Sequence, residues 1–191
     1  MKQVKLLIGL LTLCIFIAAN ASTAPNDNIA SFSLSVINNQ NISNKVSYFS
    51  LKDSSSLPPS QLGQLDTWLQ TLTSHQSTSV MGDRYVVALE IYNDTQLTEW
   101  FIYPYGSVVQ SIEILSFSVD NPVSSFKSGH GLKNQQDFHY GNKIAIFPGQ
   151  RKTLLMIFES EYFFAPIKIV VKPHAQAEKL FQSENVILLI S

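Results

Sequence analysis

Residues 82–119 carry three successive strand-like segments with short breaks between them, and that succession limits the fold more than any other feature of the chain. In the first segment Tyr85, Val87, Leu89 and Ile91 share one side and Arg84, Ala88, Glu90 and Tyr92 the other, because successive strand side chains alternate faces. Turn formers at Asn93, Asp94, Thr95 and Gln96 stop it. Trp100, Phe101, Ile102 and Tyr103 resume an aromatic, β-favouring run that closes at Pro104 to Gly106. In the third segment Val108, Ile112 and Ile114 have one parity and Leu115, Phe117 and Val119 the other, which predicts a β-bulge near Ile114 or Leu115. An antiparallel sheet is the expected frame.

The flanking sequence supplies more strands and little helix. Phe32, Leu34 and Val36 alternate with serines and predict a strand in the lead-in, and a short strand follows at 46–51. Leu62, Leu65, Leu69 and Leu72 recur at helical spacing and predict a short helix over 61–72, weakened by Gly63. Residues 120–136 read as a long irregular loop around Gly129-His130-Gly131. Residues 143–147 and 153–159 predict a hairpin across Pro148-Gly149, whose order suits a type II turn. Ile167, Ile169 and Val171 alternate with lysines in another strand over 166–171, and 175–181 has room for one or two helical turns. The final apolar stub is too short to span a bilayer. It is either a last buried strand or the start of a segment that continues.

The 191 residues fit one domain. The first 21 read as a secretion signal: Lys2 and Lys5, an apolar run from Leu6 to Ala18, then Ala19-Asn20-Ala21 as a small-x-small cleavage site. An uncleaved membrane anchor is the weaker alternative. Removing that segment lowers Lys plus Arg from 13 to 11 against 14 acids, a formal charge of −3. Such a balance gives nucleic acid no basic surface to bind. Cys14, the only cysteine, lies within the leader, so the mature chain has neither disulfide nor thiol chemistry. Export without disulfides points to a bacterial periplasm. The expected organisation is a signal peptide over 1–21, a lead-in with one strand over 22–45, a β-sandwich over 46–185 and the stub over 186–191.

From Val46 onward the order of pieces resembles a known family. The strand Val46-Ser47-Tyr48-Phe49-Ser50-Leu51-Lys52-Asp53, the central strand from Gly82 to Asn93, Tyr103-Pro104-Tyr105 followed by Ile112-Glu113-Ile114, and Ile146-Phe147-Pro148-Gly149-Gln150 with Leu154-Leu155-Met156-Ile157-Phe158 together resemble the extracellular sensory domain, type 2, of bacterial seven-transmembrane receptors with diverse intracellular signalling modules. The family usually carries a tryptophan near Tyr85 or Val86, and this chain has none there. The resemblance implies an all-β, jelly-roll-like β-sandwich with one or two short helices, similar to carbohydrate-binding modules. It also implies a place outside the membrane, ahead of helices and a cytoplasmic output module, with a small-molecule ligand and a membrane signalling region as partners. No catalysis is implied.

No nucleophile elbow, phosphate loop, dinucleotide fingerprint, zinc spacing or calcium loop is present, and no cofactor is expected. Asp137 and His139 would share a strand face that His130 could approach, one conceivable metal set. Reading these as exposed polar side chains is preferred, so no metal is assigned. Glu159 and Glu161 beside Tyr162 read as solvated carboxylates at a strand end. Aromatics are the better candidates, since sugar C–H groups pack flat on aromatic faces while polar neighbours bond the hydroxyls. Two clusters stand out: Trp100, Tyr103 and Tyr105, and Phe138, His139 and Tyr140. If the sandwich brings them to one concave face they form a ligand platform; the competing reading puts Trp100 and Phe138 in the core. Beside ligand sensing stands a secreted protein-interaction or adhesion module.

Overall fold

A computed structural model describes residues 28–51, 57–78, 81–105, 109–118, 121–130 and 140–190. The leader lies outside them. Two sheets face each other. The larger runs in the order β3 (Thr73–His75), β2 (Tyr48–Ser50), β4 (Met81–Tyr92), β9 (Arg151–Tyr162), β6 (Ser111–Ser118) and β7 (Asn121–Ser128). The smaller runs β10 (Lys168–Pro173), β5 (Glu99–Tyr105) and β8 (Asn142–Ala145). The architecture is the expected all-β sandwich.

Its inner rows are those the alternation predicts. Tyr85, Val87, Leu89 and Ile91 from β4, Leu154, Met156 and Phe158 from β9, and Ile112 and Ile114 from β6 meet Trp100 and Ile102 of β5 in one buried cluster. Both outer faces are covered as well. Helix α2 (Leu65–Gln70), entered through a 3-10 turn at Leu62–Gln64, lays Leu65, Trp68 and Leu69 over Val86, Ala88, Leu155, Ile157 and Phe117 of the large sheet. Helix α3 (His174–Ile190) lays Ala177 and Phe181 over Phe101, Tyr103 and Val170 of the small one. This two-sided cover explains the parity change in β6. Its pairing with β9 runs unbroken from Ser111↔Glu159 to Phe117↔Thr153, and its pairing with β7 shifts register only between Ser116 and Ser118, past Ile114 and Leu115. Leu115 and Phe117 face the other way because α2 offers them a second core.

The lead-in belongs to the sandwich, which therefore starts before residue 46. β1 (Ala30–Ser33) pairs in parallel with Leu89–Tyr92 of β4, beside β2, which takes Tyr85 and Val86 on the same edge. The expected strand through Val36 ends early. Leu34 and Ile37, three apart, are buried in a single helical turn, α1 (Leu34–Ile37), while Val36 points to solvent. Asp94, from the β4–β5 connection, accepts bonds from the Ser35 backbone N–H at 2.9 Å and from the Ser33 and Ser35 hydroxyls, satisfying a helix-end donor that has no partner within the helix. Residues 39–43 then cover the outer edge of β10, with Asn39 N–H on Val171 O and Ile42 N–H on Ile169 O, each at 3.0 Å. That blunts an edge that would otherwise template another strand.

Those hydroxyl and amide bonds hold the Asp94 carboxyl down to about 2 from its ordinary 3.8. A depressed carboxylate contributes stability above its unfolded value and loses it as pH falls through the folded one. Thermal midpoints of Asp94→Asn and the parent are therefore expected to differ at neutral pH and to converge between about pH 4 and pH 2; a constant gap across that window would contradict the assignment.

Three further expectations change. The Pro148-Gly149 turn forms as predicted, with Gly149 at φ 78° and Gln150 N–H on Phe147 O at 3.0 Å. The strands it joins do not form a hairpin: β8 pairs with β5 in the small sheet, whereas β9 pairs with β4 and β6 in the large one. The turn is a corner between sheets. The long loop expected after Val119 contains β7, paired with β6. The terminal stub is neither a strand nor a separate element but the end of α3, and among the described residues no helix is long and apolar enough to cross a membrane.

Candidate functional site

β5 alternates between two covered faces, and this decides the first aromatic cluster. Trp100 is fully enclosed between the sheets, with its indole N–H on Leu97 O at 3.4 Å. Tyr103, on the opposite face, packs edge-on to Phe181 of α3 at 5.7 Å. Neither ring presents a face to a ligand. Tyr105, beyond the cover at the strand end, is exposed. Tyr140 is half-buried against the inter-sheet core, next to Gly141, where a Cβ would lie 2.5 Å from Ile102 O. Phe138 and His139 lie outside the described residues, as does Asp137 of the conceivable metal set. The expected platform of Trp100, Tyr103 and Tyr105 is thus corrected: the same alternation that builds the strand sends Trp100 and Tyr103 into two different cores.

A different group of rings gathers at one end of the sandwich. β9 finishes at Tyr162, the chain crosses to the small sheet through residues 163–167, and β10 begins at Lys168, the cross-strand partner of Tyr105. Tyr162 and Phe164 are 51% and 71% exposed, and their rings meet edge to face at 5.3 Å. Between them Phe163 turns fully inward against Tyr85. The crossing is braced at several points. Ile167 donates its N–H to the Thr78 hydroxyl at 3.0 Å, its carbonyl accepts from the Tyr48 hydroxyl at 3.0 Å, and Ser160 Oγ donates to Tyr162 O at 2.8 Å. Polar groups border the rings. Glu161 is exposed, and its backbone N–H bonds the Gln110 side-chain oxygen at 3.1 Å. Glu159 is exposed too, as expected of a solvated carboxylate.

Three rings, Tyr105, Tyr162 and Phe164, therefore stand at the loop end on a backbone anchored by a buried aromatic. Such a surface can stack on the apolar side of a flat polar ligand. Tyr105 is legible as a candidate from sequence, and Tyr162 is visible beside its glutamates. Phe164 is not, because ranking aromatics by local density favours 100–105. The available signal is the triplet Tyr162-Phe163-Phe164 just before Pro166: a strand alternation carried into a turn leaves the outer two rings without a core.

No family model matches the chain, and no curated protein does. Solved structures with some similarity include TmCBM61 in complex with β-1,4-galactotriose, at TM-score 0.31 and 7% identity over 49% of this chain and 62% of that one. Others are the PA14 domain of the antifreeze protein MpAFP, at 0.32 and 12% over 68% and 64%, and CBM28, a carbohydrate-binding module specific for non-crystalline cellulose, at 0.27 and 11% over 46% and 64%. The aligned part spans less than two thirds of each of these chains. The fold assignment rests on the strand pairing itself.

Proposed function

We propose that this chain is an exported, non-catalytic β-sandwich that binds a carbohydrate on Tyr105, Tyr162 and Phe164, and that it serves as the extracytoplasmic sensory domain of a bacterial membrane receptor. The observation that carries the binding step is the pair of exposed, mutually packed rings of Tyr162 and Phe164 on a braced crossing. Rings fixed before binding lose little freedom when a ligand arrives, which favours affinity from a small contact. The sensory role is supported by the signal-like leader sequence and by the resemblance of the order of sequence pieces to the type 2 sensory domains.

A glycan array followed by calorimetry on the best hit tests this. Phe164→Ala and Tyr162→Ala are each expected to weaken binding roughly tenfold, about 1.4 kcal/mol, with thermal midpoints close to the parent's because both rings are exposed. An array with no hit, together with protein partners captured through the same rings, would replace the carbohydrate reading with the interaction-module one.

A further inference from the structure

The inner rows of the sandwich do not stay apolar along their whole length. On β6 the inward row reads Ile112, Ile114, Ser116, and on its neighbour β7 Phe126 and Ser124 stand opposite Ile114 and Ser116. On β9 the row Phe158, Met156, Leu154 is continued by Lys152. These polar side chains occupy positions where the core would otherwise continue, at the flank where β7 and β8 face each other as the outer strands of the two sheets. They line an open groove of about 180 Å³ floored by Ile114, Phe126 and Ile144, with Asn142 at its rim. It lies toward the opposite end of the strands from Tyr162 and Phe164.

The charge in the groove is one-sided. Lys152 reaches across to donate to the Ala145 carbonyl of the other sheet at 2.8 Å, which leaves two ammonium donors for the groove. Among the described residues no acidic side chain lines the groove, and Lys152 makes no ion pair. The neighbouring acids are used on outward faces: Glu113 pairs with Lys127, Glu90 with Arg151, and Glu99 with Lys143. Partial burial pushes the Lys152 ammonium below its ordinary value. A lysine kept at an inward position for structure alone would be expected to find a carboxylate or to extend fully into solvent.

We propose that this groove binds a small hydroxylated carboxylate of the sugar-acid class, its carboxylate on the Lys152 ammonium, its hydroxyls on Ser116, Ser124 and Asn142, and its carbon skeleton on Ile114 and Phe126. The volume corresponds to about six liquid waters, enough for one small molecule and too little for an oligosaccharide. This site is separate from the aromatic end and does not depend on it.

The test is a thermal-shift and calorimetric titration with D-galacturonate and D-gluconate, with D-galactose as the neutral control. At least one acid is expected to raise the midpoint saturably. Lys152→Met removes the cation and its bond to Ala145 while keeping an unbranched apolar stem, and is expected to abolish the response. Ser124→Val removes a hydroxyl and narrows the groove from an exposed edge position, and is expected to weaken it at least tenfold with the fold intact. Val36→Ala, at an exposed position on α1 outside both sites, should leave it unchanged. The proposal falls if neither acid binds, if galactose binds equally and competes, or if either groove variant that remains folded binds the acid as the parent does.

Discussion

Replacing Trp100 by alanine is expected to cost about 3–5 kcal/mol of stability, the range for truncating a buried aromatic to alanine. The indole has no exposed surface, stands between Ile144 and Pro173 on the neighbouring strands, and faces the large sheet across the core. For a chain of this length each kcal/mol moves the midpoint by about 2–4 °C, so a drop of roughly 6–20 °C should be seen by calorimetry. Tyr105→Ala, five residues on, should shift it by less than about 2 °C, since surface changes usually stay within about 0.5 kcal/mol. Equal effects at the two positions would show that the inward and outward assignment along β5 is wrong. Loss of ligand binding in the Trp100 variant would then follow from unfolding and would say nothing about a contact.

The second large effect is expected at Asn93. This residue is fully buried where the β4–β5 connection meets the corner before β9. Its side-chain amide donates to the Leu97 and Ile146 carbonyls, both at 2.6 Å, and its side-chain oxygen accepts from the Thr95 N–H at 3.0 Å and the Thr95 hydroxyl at 2.8 Å. Its backbone bonds Gln150 and Gly149 on either side. One side chain thus ties the 93–98 connection to the 146–150 corner. Asn93→Ala removes four bonds and strands the Ile146 carbonyl, which should cost about 2–4 kcal/mol. Asn93→Asp should be worse still, because it puts a charge in the same enclosed place and removes both donors. Urea titrations of the two variants check this, and an alanine variant within about 0.5 kcal/mol of the parent would refute the tie.

How far the sequence is legible depends on what each feature needs. β4 could be read because alternation from Tyr85 to Ile91 is a property of neighbouring residues. The turn at Pro148-Gly149 could be read because proline and glycine set their own backbone angles. β7 was hidden because its strand carries serines and a lysine without apolar alternation, so only its partner β6 reveals it. α1 was hidden because Asp94, far along the chain, supplies the bond that ends the strand. The aromatic site was legible as chemistry and misplaced in position. A ring's residue type says that it can stack on a sugar; whether its face is free depends on which layer covers that side of the strand.

By itself, then, the sequence determined where most strands lie, that the inner rows are apolar, and that the 148–149 corner turns tightly, since these follow from interactions within a few residues. Only the tertiary structure decided that β8 and β9 part into different sheets, that α2 and α3 bury the outer faces, and that Tyr105, Tyr162 and Phe164 are exposed where Trp100 and Tyr103 are buried. Those outcomes turn on pairing and cover between segments tens of residues apart. Burial is a property of the neighbours a residue acquires on folding, and the chain names those neighbours only once its sheets have closed.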